Sequence, residues 1–279
     1  MRISRIYFGE KLASETTAIL SADISHYLGK VLRLKSGDQI HLFNETDGEF
    51  LASVSNVKKS AVEVDIGSMV RAAEAATLQI NLALGISRGD RMDYGIQKSS
   101  ELGVSRITPL YTEYGEVRLK ADRVENKLRH WSKIAVSASE QSGRLDIAEV
   151  TAPCGLEQWA RDLPVGLNIM LEPSGSQQLS AELSSKLSLG LSPELSPELS
   201  PQLSPQLSPQ LSPQQQNSQN SSVKNVNLII GPEGGFSAKE IQWAEQAGFL
   251  ITSLGKRILR TETAPVASLA IIQHLFGDM

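Results

Sequence analysis

Two glycine-rich stretches near the C-terminal end carry the residue types best suited to hold a ligand. The first, Gly231-Pro-Glu-Gly-Gly235, follows the apolar run Leu228–Ile230. The second runs from Leu254 to Ala264 and reads Leu-Gly-Lys-Arg-Ile-Leu-Arg-Thr-Glu-Thr-Ala. Glycines let a ligand approach bare backbone, and loops that follow buried strands are frequent binding sites. Two such loops close together in sequence predict a single pocket.

Arg260 and Glu262 are the charged candidates for chemistry in the second stretch. Arg260 can stabilise a developing oxyanion or hold a phosphate, and Glu262 can orient that arginine or accept a proton. The alternative is a structural arginine–glutamate pair that closes the loop. Neither stretch has the Lys-Ser/Thr of a P-loop or the Gly-x-Gly-x-x-Gly spacing of a dinucleotide site.

A strand, a glycine loop and a helix start are predicted twice around these residues. Ser237-Ala-Lys-Glu240 has the spacing of a capping box, so a helix should begin at about Ser237. A strand over Phe249–Leu254 precedes the second loop, and a helix from about Thr263 follows it, with Pro265 in its first turn. Strands and helices alternate over 76–279, which predicts an α/β domain with a mostly parallel sheet.

Residues 1–72 have a different pattern and predict a small β-barrel. Short alternating strands occur there, with the hairpin signal Asp47-Gly48 between two of them, and residues 23–34 have helical spacing. Arg71–Thr77 is rich in small residues and predicts the linker between the two domains.

Residues 177–222 have the composition of a disordered low-complexity insertion within the second domain. Leu-Ser-Pro-Glu or Leu-Ser-Pro-Gln recurs from Leu191 to Gln214, with degenerate copies from Leu179 onward. A proline in each repeat removes a helix hydrogen bond, so polyproline-like disorder is predicted. A neutral repeat expansion is favoured over a docking site for a partner, because a longer surface loop adds little closure entropy.

Composition excludes several classes of function. The net charge is −4 and the pI is near 5.7, so basic residues that bind RNA must be gathered locally. The single cysteine, Cys154, excludes an intramolecular disulfide and a cysteine-based zinc cluster, and no metal is expected. No apolar run approaches a membrane span and the N-terminus lacks a signal-peptide core, so the cytoplasm is the expected location.

Four separated segments resemble the RsmE family, which are 16S ribosomal RNA uridine N3-methyltransferases of the SPOUT (α/β-knot) class. They are Tyr27–Leu34, Ser87–Val104, Ser139–Arg144 and the pair of C-terminal loops. The resemblance implies an N-terminal PUA-like RNA-binding barrel and an α/β methyltransferase domain with a trefoil knot. It further implies a homodimer, S-adenosylmethionine as methyl donor, and 16S rRNA of the small ribosomal subunit as partner.

The resemblance also implies the site residues. Arg260 and Glu262 are the expected catalytic residues. Three loops are expected to bind the methyl donor, through Leu171, Glu172, Pro173, Gly231, Pro232, Glu233, Gly234, Gly235, Leu254, Gly255, Arg257, Ile258, Leu259, Thr261 and Thr263. The expected RNA-binding residues are Arg2, Arg5, His26, Lys30, Arg33, Arg88 and Lys98.

Two other functions are compatible with these residues. A ribosome-assembly factor would keep the fold and bind RNA without catalysis, although the intact glycine loops and the Arg-Thr-Glu-Thr run argue against it. A methyltransferase that acts on another RNA or another atom, such as a 2′-hydroxyl, is the second. A Rossmann methyltransferase is disfavoured, because its glycine loop follows the first strand of the domain whereas these loops lie at the C-terminal end.

Overall fold

The structure, a computed structural model, describes residues 3–58, 61–175, 177–190 and 223–279. Two sheets contain the strands of these ranges, and each sheet has a hydrophobic core of its own. The N-terminal elements are β1 (Ser4–Tyr7), β2 (Thr16–Ile19), α1 (Ala22–His26), β3 (Gln39–Asn44), β4 (Gly48–Val57) and β5 (Val62–Arg71). The C-terminal elements are β6 (Gln79–Gly85), α2 (Asp90–Glu101), β7 (Arg106–Tyr111), α3 (Ala121–Ser142), β8 (Glu149–Val150), β9 (Cys154–Gly155), α4 (Leu156–Ala160), β10 (Leu167–Leu171), β11 (Gln177–Gln178), α5 (Leu179–Gly190), β12 (Asn225–Ile230), α6 (Ala238–Gln246), β13 (Leu250–Ser253) and α7 (Thr263–Phe276).

The N-terminal domain is a five-stranded sheet in the order β1-β3-β4-β5-β2. β1 and β3 are parallel, and the other neighbours are antiparallel. The predicted hairpin turn at Asp47-Gly48 is confirmed, and Gly48 has a φ of 102°, which glycine adopts without strain. The predicted helical segment is α1 followed by a π-helical turn over Tyr27–Val31.

The C-terminal domain has a parallel sheet in the order β11-β13-β10-β12-β6-β7-β8, with β9 also paired to β7. Every pair in this sheet is parallel, as the alternation of strands and helices predicted. The central strands are apolar on both faces because helices cover both. Trp131 of α3, which the helical spacing predicted as a core residue, is 2% exposed. All of these strands end in loops at one edge of the sheet, where a ligand site is expected.

Asparagines on three adjacent strands form a ladder through the middle of this sheet. Asn81 on β6 and Asn168 on β10 are the register partners of Asn227 on β12. Asn81 Nδ2 donates to Asn227 Oδ1 at 3.0 Å, and Asn227 Nδ2 donates to Asn168 Oδ1 at 2.8 Å. Asn227 Nδ2 also donates to the carbonyl of Pro164 at 3.0 Å. Because Asn227 is wholly buried, the ladder fixes the register of three strands that are distant in sequence.

We expect Asn227→Ala to lower the free energy of unfolding by about 3 kcal/mol, because it removes three hydrogen bonds and leaves buried amide groups without partners. Urea denaturation followed by circular dichroism measures this change. Asn225→Ala on the same strand is the matched control, since within the described residues the Asn225 side chain makes one exposed hydrogen bond, to the carbonyl of Val165. If both variants lowered the free energy of unfolding by the same amount, the ladder would make no special contribution to stability.

One buried carboxylate, Glu49, joins charged residues from three strands of the N-terminal domain. Its Oε1 accepts from Arg5 Nε at 2.9 Å and lies 2.7 Å from His41 Nδ1, while its Oε2 accepts from Arg71 Nη2 at 3.1 Å. Burial acts to raise the pKa of Glu49, but the hydrogen bonds from Arg5 and His41 and the two arginine charges outweigh it and hold the pKa below its ordinary value.

Arg5 carries this network into the C-terminal domain. Its Nη1 donates to the carbonyls of Ser139 and Glu140 at 2.8 and 3.1 Å, and its Nη2 donates to the carbonyl of Arg144 at 2.8 Å. With the two bonds to Glu49, all five guanidinium donors are engaged inside the protein. The structure therefore gives Arg5 an interdomain role and leaves it no donor for RNA, contrary to the role implied by the resemblance.

The predicted disorder of residues 177–222 is wrong for 177–190. Gln177–Gln178 pairs with β13, and α5 follows it directly. Leu179 and Leu183 on α5 are buried in the same core as α7. The reason lies in the degenerate repeats, which keep a leucine every four residues but have no proline before Pro193, so a helix with one apolar face can form. Residues 191–222, with the proline repeats, lie outside the described residues.

Candidate functional site

A cavity of about 320 Å³ lies at the C-terminal edge of the parallel sheet, where the loops after β10, β12 and β13 meet. Its volume is at the lower end of the range for small-molecule sites. The cavity is lined by Arg91, Leu171, Glu172, Pro173, Ile230, Gly231, Pro232, Glu233, Gly235, Phe236, Ser253, Leu254, Gly255, Arg257, Ile258, Leu259, Arg260, Thr261, Glu262 and Ala264. The two glycine-rich stretches therefore share one pocket, as predicted, and Leu171–Pro173 forms its third wall.

The loop after β12 is fixed at both of its ends. A Cβ atom at Gly85 would lie 2.3 Å from Pro232 N, so only glycine lets this loop pack against β6. The predicted capping box is confirmed: Ser237 Oγ accepts from Glu240 N at 3.3 Å, and Ser237 N donates to Glu240 Oε2 at 2.8 Å. Glu240 Oε1 also accepts from Glu113 N at 2.9 Å, which ties this loop to the loop after β7.

The loop after β13 leads into α7 at the predicted place. Thr263 N and Ala264 N both donate to the carbonyl of Arg260, at 2.9 and 3.0 Å, and Pro265 lies in the first turn. Gly255 has a φ of 89°, and a Cβ atom built there would meet nothing within 4 Å. The same is true of Gly235, whose φ is 71°. At both positions glycine permits the left-handed backbone and leaves space open for a ligand.

Two buried oxygen atoms in the cavity wall have no hydrogen-bond partner in the described part of the chain. They are Thr261 Oγ1 and Glu262 Oε2. A buried polar atom without a partner costs about 1–3 kcal/mol, so such atoms usually indicate a missing ligand or solvent. Both atoms belong to the Arg-Thr-Glu-Thr run, and both residues line the cavity.

Arg260 and Glu262 do not form the tight pair that the structural alternative requires. Arg260 Nη1 lies 4.0 Å from Glu262 Oε1, and the arginine side chain is 78% exposed whereas the glutamate is 18% exposed. Such a distance at an exposed arginine contributes little stability. The arrangement instead presents an exposed cation and a largely buried carboxylate to the same cavity.

Arg91 at the start of α2 lines the cavity, although it was not among the predicted site residues. Its Nη1 donates to Glu233 Oε1 at 2.8 Å. The hydrogen bond that Arg91 donates to Glu233, and then the charges of Glu233 and Glu262, raise the pKa of Arg91 above its ordinary value. Arg91 lies inside the family-like segment Ser87–Val104, and this was the signal that could have identified it.

Most of the residues predicted to bind the donor line the cavity, but two of them do not. Gly234 faces the loop after β7, where a Cβ atom would lie 2.5 Å from the carbonyl oxygen of Tyr114. Thr263 is the exposed first residue of α7. The cavity residues absent from the prediction are Arg91, Ile230, Phe236, Ser253 and Ala264.

The residues expected to bind RNA lie in two separate places. His26, Lys30 and Arg33 are exposed on α1 and the turn that follows it, beside the exposed side chains of Tyr27 and Val31. Cations interleaved with an aromatic residue are typical of surfaces that bind single-stranded RNA.

The other two lie in the C-terminal domain, on or just before α2. Arg88 Nη2 pairs with Glu116 Oε2 at 2.8 Å, and Lys98 Nζ donates to both carboxylate oxygens of Glu101 at 2.7 and 2.8 Å. Arg2 lies outside the described residues.

Arg33 is one of the few residues other than glycine with a left-handed backbone, with a φ of 56°. On the prediction that this surface binds RNA, we expect Arg33→Gly to lower affinity for RNA about three- to tenfold and to reduce the salt dependence of binding, because one phosphate contact would be lost. Its stability should not fall, since glycine tolerates this backbone better than arginine. Electrophoretic mobility shifts over a salt series, together with thermal melts, measure both effects.

Arg129→Ala on the exposed face of α3 is the control for charge, and it should leave RNA affinity unchanged. Equal losses of affinity for the two variants would argue against a local RNA surface at α1 and its turn.

Two structural features are absent from the described ranges. Within them, no group of three or more His, Cys, Asp or Glu side chains is arranged to hold a metal ion. No helix of these ranges is both long enough and apolar enough to cross a membrane.

Comparison with known proteins identifies the same two parts of the chain. A family model described as an RNA methyltransferase domain matches residues 74–194 and 202–273. A second model, described as an RNA methyltransferase PUA domain, matches residues 20–67. Ribosomal RNA small subunit methyltransferase E of Buchnera aphidicola from Schizaphis graminum is 33% identical over 279 residues, which is 100% of this chain and 98% of that protein. The enzyme of the same name from Rickettsia conorii is 27% identical over 99% of this chain and 97% of its own length.

Two solved structures resemble the whole chain. A methyltransferase of Legionella pneumophila in complex with the bound cofactor SAM has a TM-score of 0.81 at 35% identity, with 100% of both chains covered. Ribosomal RNA small subunit methyltransferase E from Neisseria gonorrhoeae, bound to S-adenosyl methionine, has a TM-score of 0.78 at 30% identity, again with 100% of both chains covered.

Proposed function

The chain belongs to the family of RNA methyltransferases that includes ribosomal RNA small subunit methyltransferase E, and from this premise we propose that it methylates N3 of a specific uridine in 16S rRNA with S-adenosylmethionine as donor. The observation that carries the proposal is the cavity formed by the three C-terminal loops, whose wall contains a buried carboxylate oxygen without a partner in the described residues and three arginines, Arg91, Arg257 and Arg260. The similarity to two structures that contain the donor supports it.

The residues of the cavity fit S-adenosylmethionine. Apolar side chains such as Leu171, Phe236 and Leu259 supply walls for an adenine ring, and backbone groups beside Gly235 and Gly255 are accessible because no Cβ atom covers them. Thr261 Oγ1 offers a buried hydrogen-bonding atom that nothing else in the described residues satisfies. We assign donor binding to these residues and to the other predicted donor-binding residues of the three loops that line the cavity.

Methyl transfer requires the chain to orient the acceptor and to remove a proton. When bound, S-adenosylmethionine supplies a methyl carbon that is already electrophilic, so no metal or covalent enzyme intermediate is needed. Uridine N3 carries a proton and titrates well above neutral pH, so a proton acceptor is needed. Glu262 is our candidate, because its Oε2 is buried in the cavity wall without a partner. Arg260, exposed at the rim, is placed to stabilise the negative charge that deprotonation leaves on the uracil ring.

The finer features of the family also belong to this proposal. We include the trefoil knot, a homodimer, and action in the cytoplasm on the small ribosomal subunit. The dimer draws support from α7, which is apolar almost all round although Val266, Ala267 and Ile271 are only partly buried. A helix that is apolar on every side is normally covered on every side. Sedimentation equilibrium measures the assembly directly.

The test is methyl transfer from labelled S-adenosylmethionine to small ribosomal subunits that lack the modification, followed by mass spectrometry of the modified nucleoside. We expect one methyl group per subunit, on N3 of one uridine in 16S rRNA. If the methyl group were found on a 2′-hydroxyl or on another base, the proposed target atom would be wrong, but the chain would still be an RNA methyltransferase. Donor binding without transfer to any RNA would favour the assembly-factor alternative.

A further inference from the structure

A second, polar cavity lies next to the donor cavity on the side of β6 and β7. It has a volume of about 500 Å³ and is lined by Arg88, Asp90, Arg91, Glu116 and Glu233. Arg91 and Glu233 also line the donor cavity. The ion pair between them, with Nη1 and Oε1 2.8 Å apart, therefore stands between the two cavities.

The sheet order explains why the two cavities are neighbours. β12 pairs with β6, and β6 pairs with β7, so the loops after β6 and β7 begin beside the donor loop that follows β12. The backbones of these loops are in close contact. A Cβ atom at Gly85 would lie 2.3 Å from Pro232 N, and one at Gly234 would lie 2.5 Å from the carbonyl oxygen of Tyr114. The wall between the cavities is consequently fixed by backbone, and its side chains are the part that can change.

Both arginines of the second cavity have carboxylates as partners in this structure. Arg88 pairs with Glu116 at 2.8 Å, with side chains 74% and 67% exposed. The Arg91–Glu233 pair is also solvated, with side chains 49% and 38% exposed. Solvated ion pairs contribute little stability, so an incoming anion can replace either carboxylate at low cost. A guanidinium group matches phosphate as it matches carboxylate, and it can also donate to a ring carbonyl oxygen on which negative charge develops.

Arg91 lines the same donor cavity as Glu262, the proposed proton acceptor. The charge of Glu262 contributes to the raised pKa of Arg91, so the two groups share one electrostatic environment. The other charged side chains that line the two cavities are Arg88, Asp90, Glu116 and Glu233 in the second cavity, and Glu172, Glu233, Arg257, Arg260 and Glu262 in the donor cavity. Arg91 thus lies at the boundary between the donor cavity, which has many apolar residues in its wall, and the second cavity, which is lined by charged residues.

We propose that the second cavity receives the target nucleotide and that Arg91 leaves Glu233 to contact the uracil ring, where it stabilises the negative charge formed when N3 loses its proton. Arg88 then meets a flanking phosphate in place of Glu116. The inference rests on the proposed function and adds to it a residue that contacts the acceptor. The reaction stays balanced: the N3 proton passes to a carboxylate, the N3 electron pair bonds to the methyl carbon, and the electrons of the broken carbon–sulfur bond stay with sulfur.

The test compares Arg91→Gln and Arg91→Lys with a matched control, Arg106→Gln. Arg106 also makes a 2.8 Å pair with a glutamate and is 46% exposed, but it begins β7 and so lies at the opposite edge of the sheet. Calorimetry gives the dissociation constant for S-adenosylmethionine. Single-turnover methylation of unmodified small subunits, measured over a range of pH, gives the rate of transfer.

For Arg91→Gln we expect a donor dissociation constant within about threefold of the wild type and a transfer rate about 10²-fold lower. The rising limb of its pH–rate profile should shift upward by about one pH unit or more, because the uracil loses a nearby positive charge. Arg91→Lys should recover part of the rate and part of the pH shift, and Arg106→Gln should behave as the wild type.

A donor dissociation constant that rises as much as the rate falls would overturn the inference, since Arg91 would then bind the donor. An unchanged rate, or a loss of rate with no shift of the pH profile, would overturn it as well. A wild-type protein that transfers no methyl group at all would refute the proposed function and this inference with it. That result is separate from any effect of Arg91, because it appears before a variant is made.

Discussion

Glu262→Gln is expected to lower the rate of methyl transfer about 10³-fold, because the variant keeps the shape of the side chain but removes the proton acceptor. Glu262 is the carboxylate whose Oε2 is buried in the donor cavity without a partner in the described residues. Its side chain is 18% exposed, so solvent does not readily replace it as the acceptor. The donor dissociation constant should change by no more than about threefold, since the glutamine amide can still hydrogen-bond.

The pH dependence of Glu262→Gln separates a proton acceptor from a merely structural residue. The variant reacts only with uracil that has already ionised in solution, so its rate should rise about tenfold per pH unit between about pH 7 and about pH 9. The ratio of the wild-type rate to the variant rate should therefore become smaller over that range. Glu245→Gln, an exposed carboxylate on α6 outside the cavity, is the control and should keep the wild-type rate. If the rate of the variant were lower than that of the wild type by the same factor at every pH, Glu262 would not be the proton acceptor.

Glu49→Gln is expected to lower the free energy of unfolding by about 3 kcal/mol at neutral pH, because two arginines lose the buried carboxylate that pairs them. Glu49 is 5% exposed, and it accepts from Arg5 and Arg71 while it also contacts His41. The two arginines in turn donate to backbone carbonyls of the C-terminal domain. The variant should therefore loosen the junction of the domains as well as the N-terminal sheet, and urea denaturation with probes in each domain measures both.

Acid should reduce the difference between the wild type and Glu49→Gln. The pKa of Glu49 is lowered in the folded protein, so its contribution is fully present above the ordinary value of 4.5 and is lost as the pH falls through the lower, folded value. The pKa of Glu140 nearby is shifted in the opposite direction, because burial raises it. Glu140 is present in both proteins, so its contribution to the pH dependence of stability cancels in the comparison. Glu63→Gln, an exposed partner of Lys58 in the same sheet, is the control and should lose much less stability. A difference that persists unchanged far below the ordinary pKa would contradict this account.

Local patterns predicted the elements around the site, and the structure explains why other features escaped them. The capping box at Ser237, the helix start near Pro265 and the glycine loops depend on residues within a few positions of one another, and all three are confirmed. Arg91 escaped because its place in the cavity depends on the pairing of β6 with β12, and its partner Glu233 lies 142 positions away. No spacing within the sequence carries that information.

Arg5 and α5 show two other reasons for error. A basic residue near the N-terminus of an RNA-binding domain fits an RNA contact, yet the carbonyls that Arg5 meets lie 134 to 139 positions further along the chain. At α5 the repeat pattern was extended too far, since the copies before Pro193 contain no proline and supply the buried residues Leu179 and Leu183. For Arg5, tertiary packing that the local sequence does not encode decided the outcome, whereas at α5 the local sequence, which lacks proline, already permitted a helix.

The asparagine ladder has a consequence for how the protein emerges from the ribosome. β12 lies between β10 and β6, although it is synthesised after both of them. A nascent chain that has emerged only as far as Gly190 has both neighbouring strands but not the strand that joins them, and Asn81 and Asn168 still lack Asn227. The C-terminal domain therefore cannot complete its sheet co-translationally strand by strand. Translation must deliver nearly the whole chain before the centre of the sheet can close.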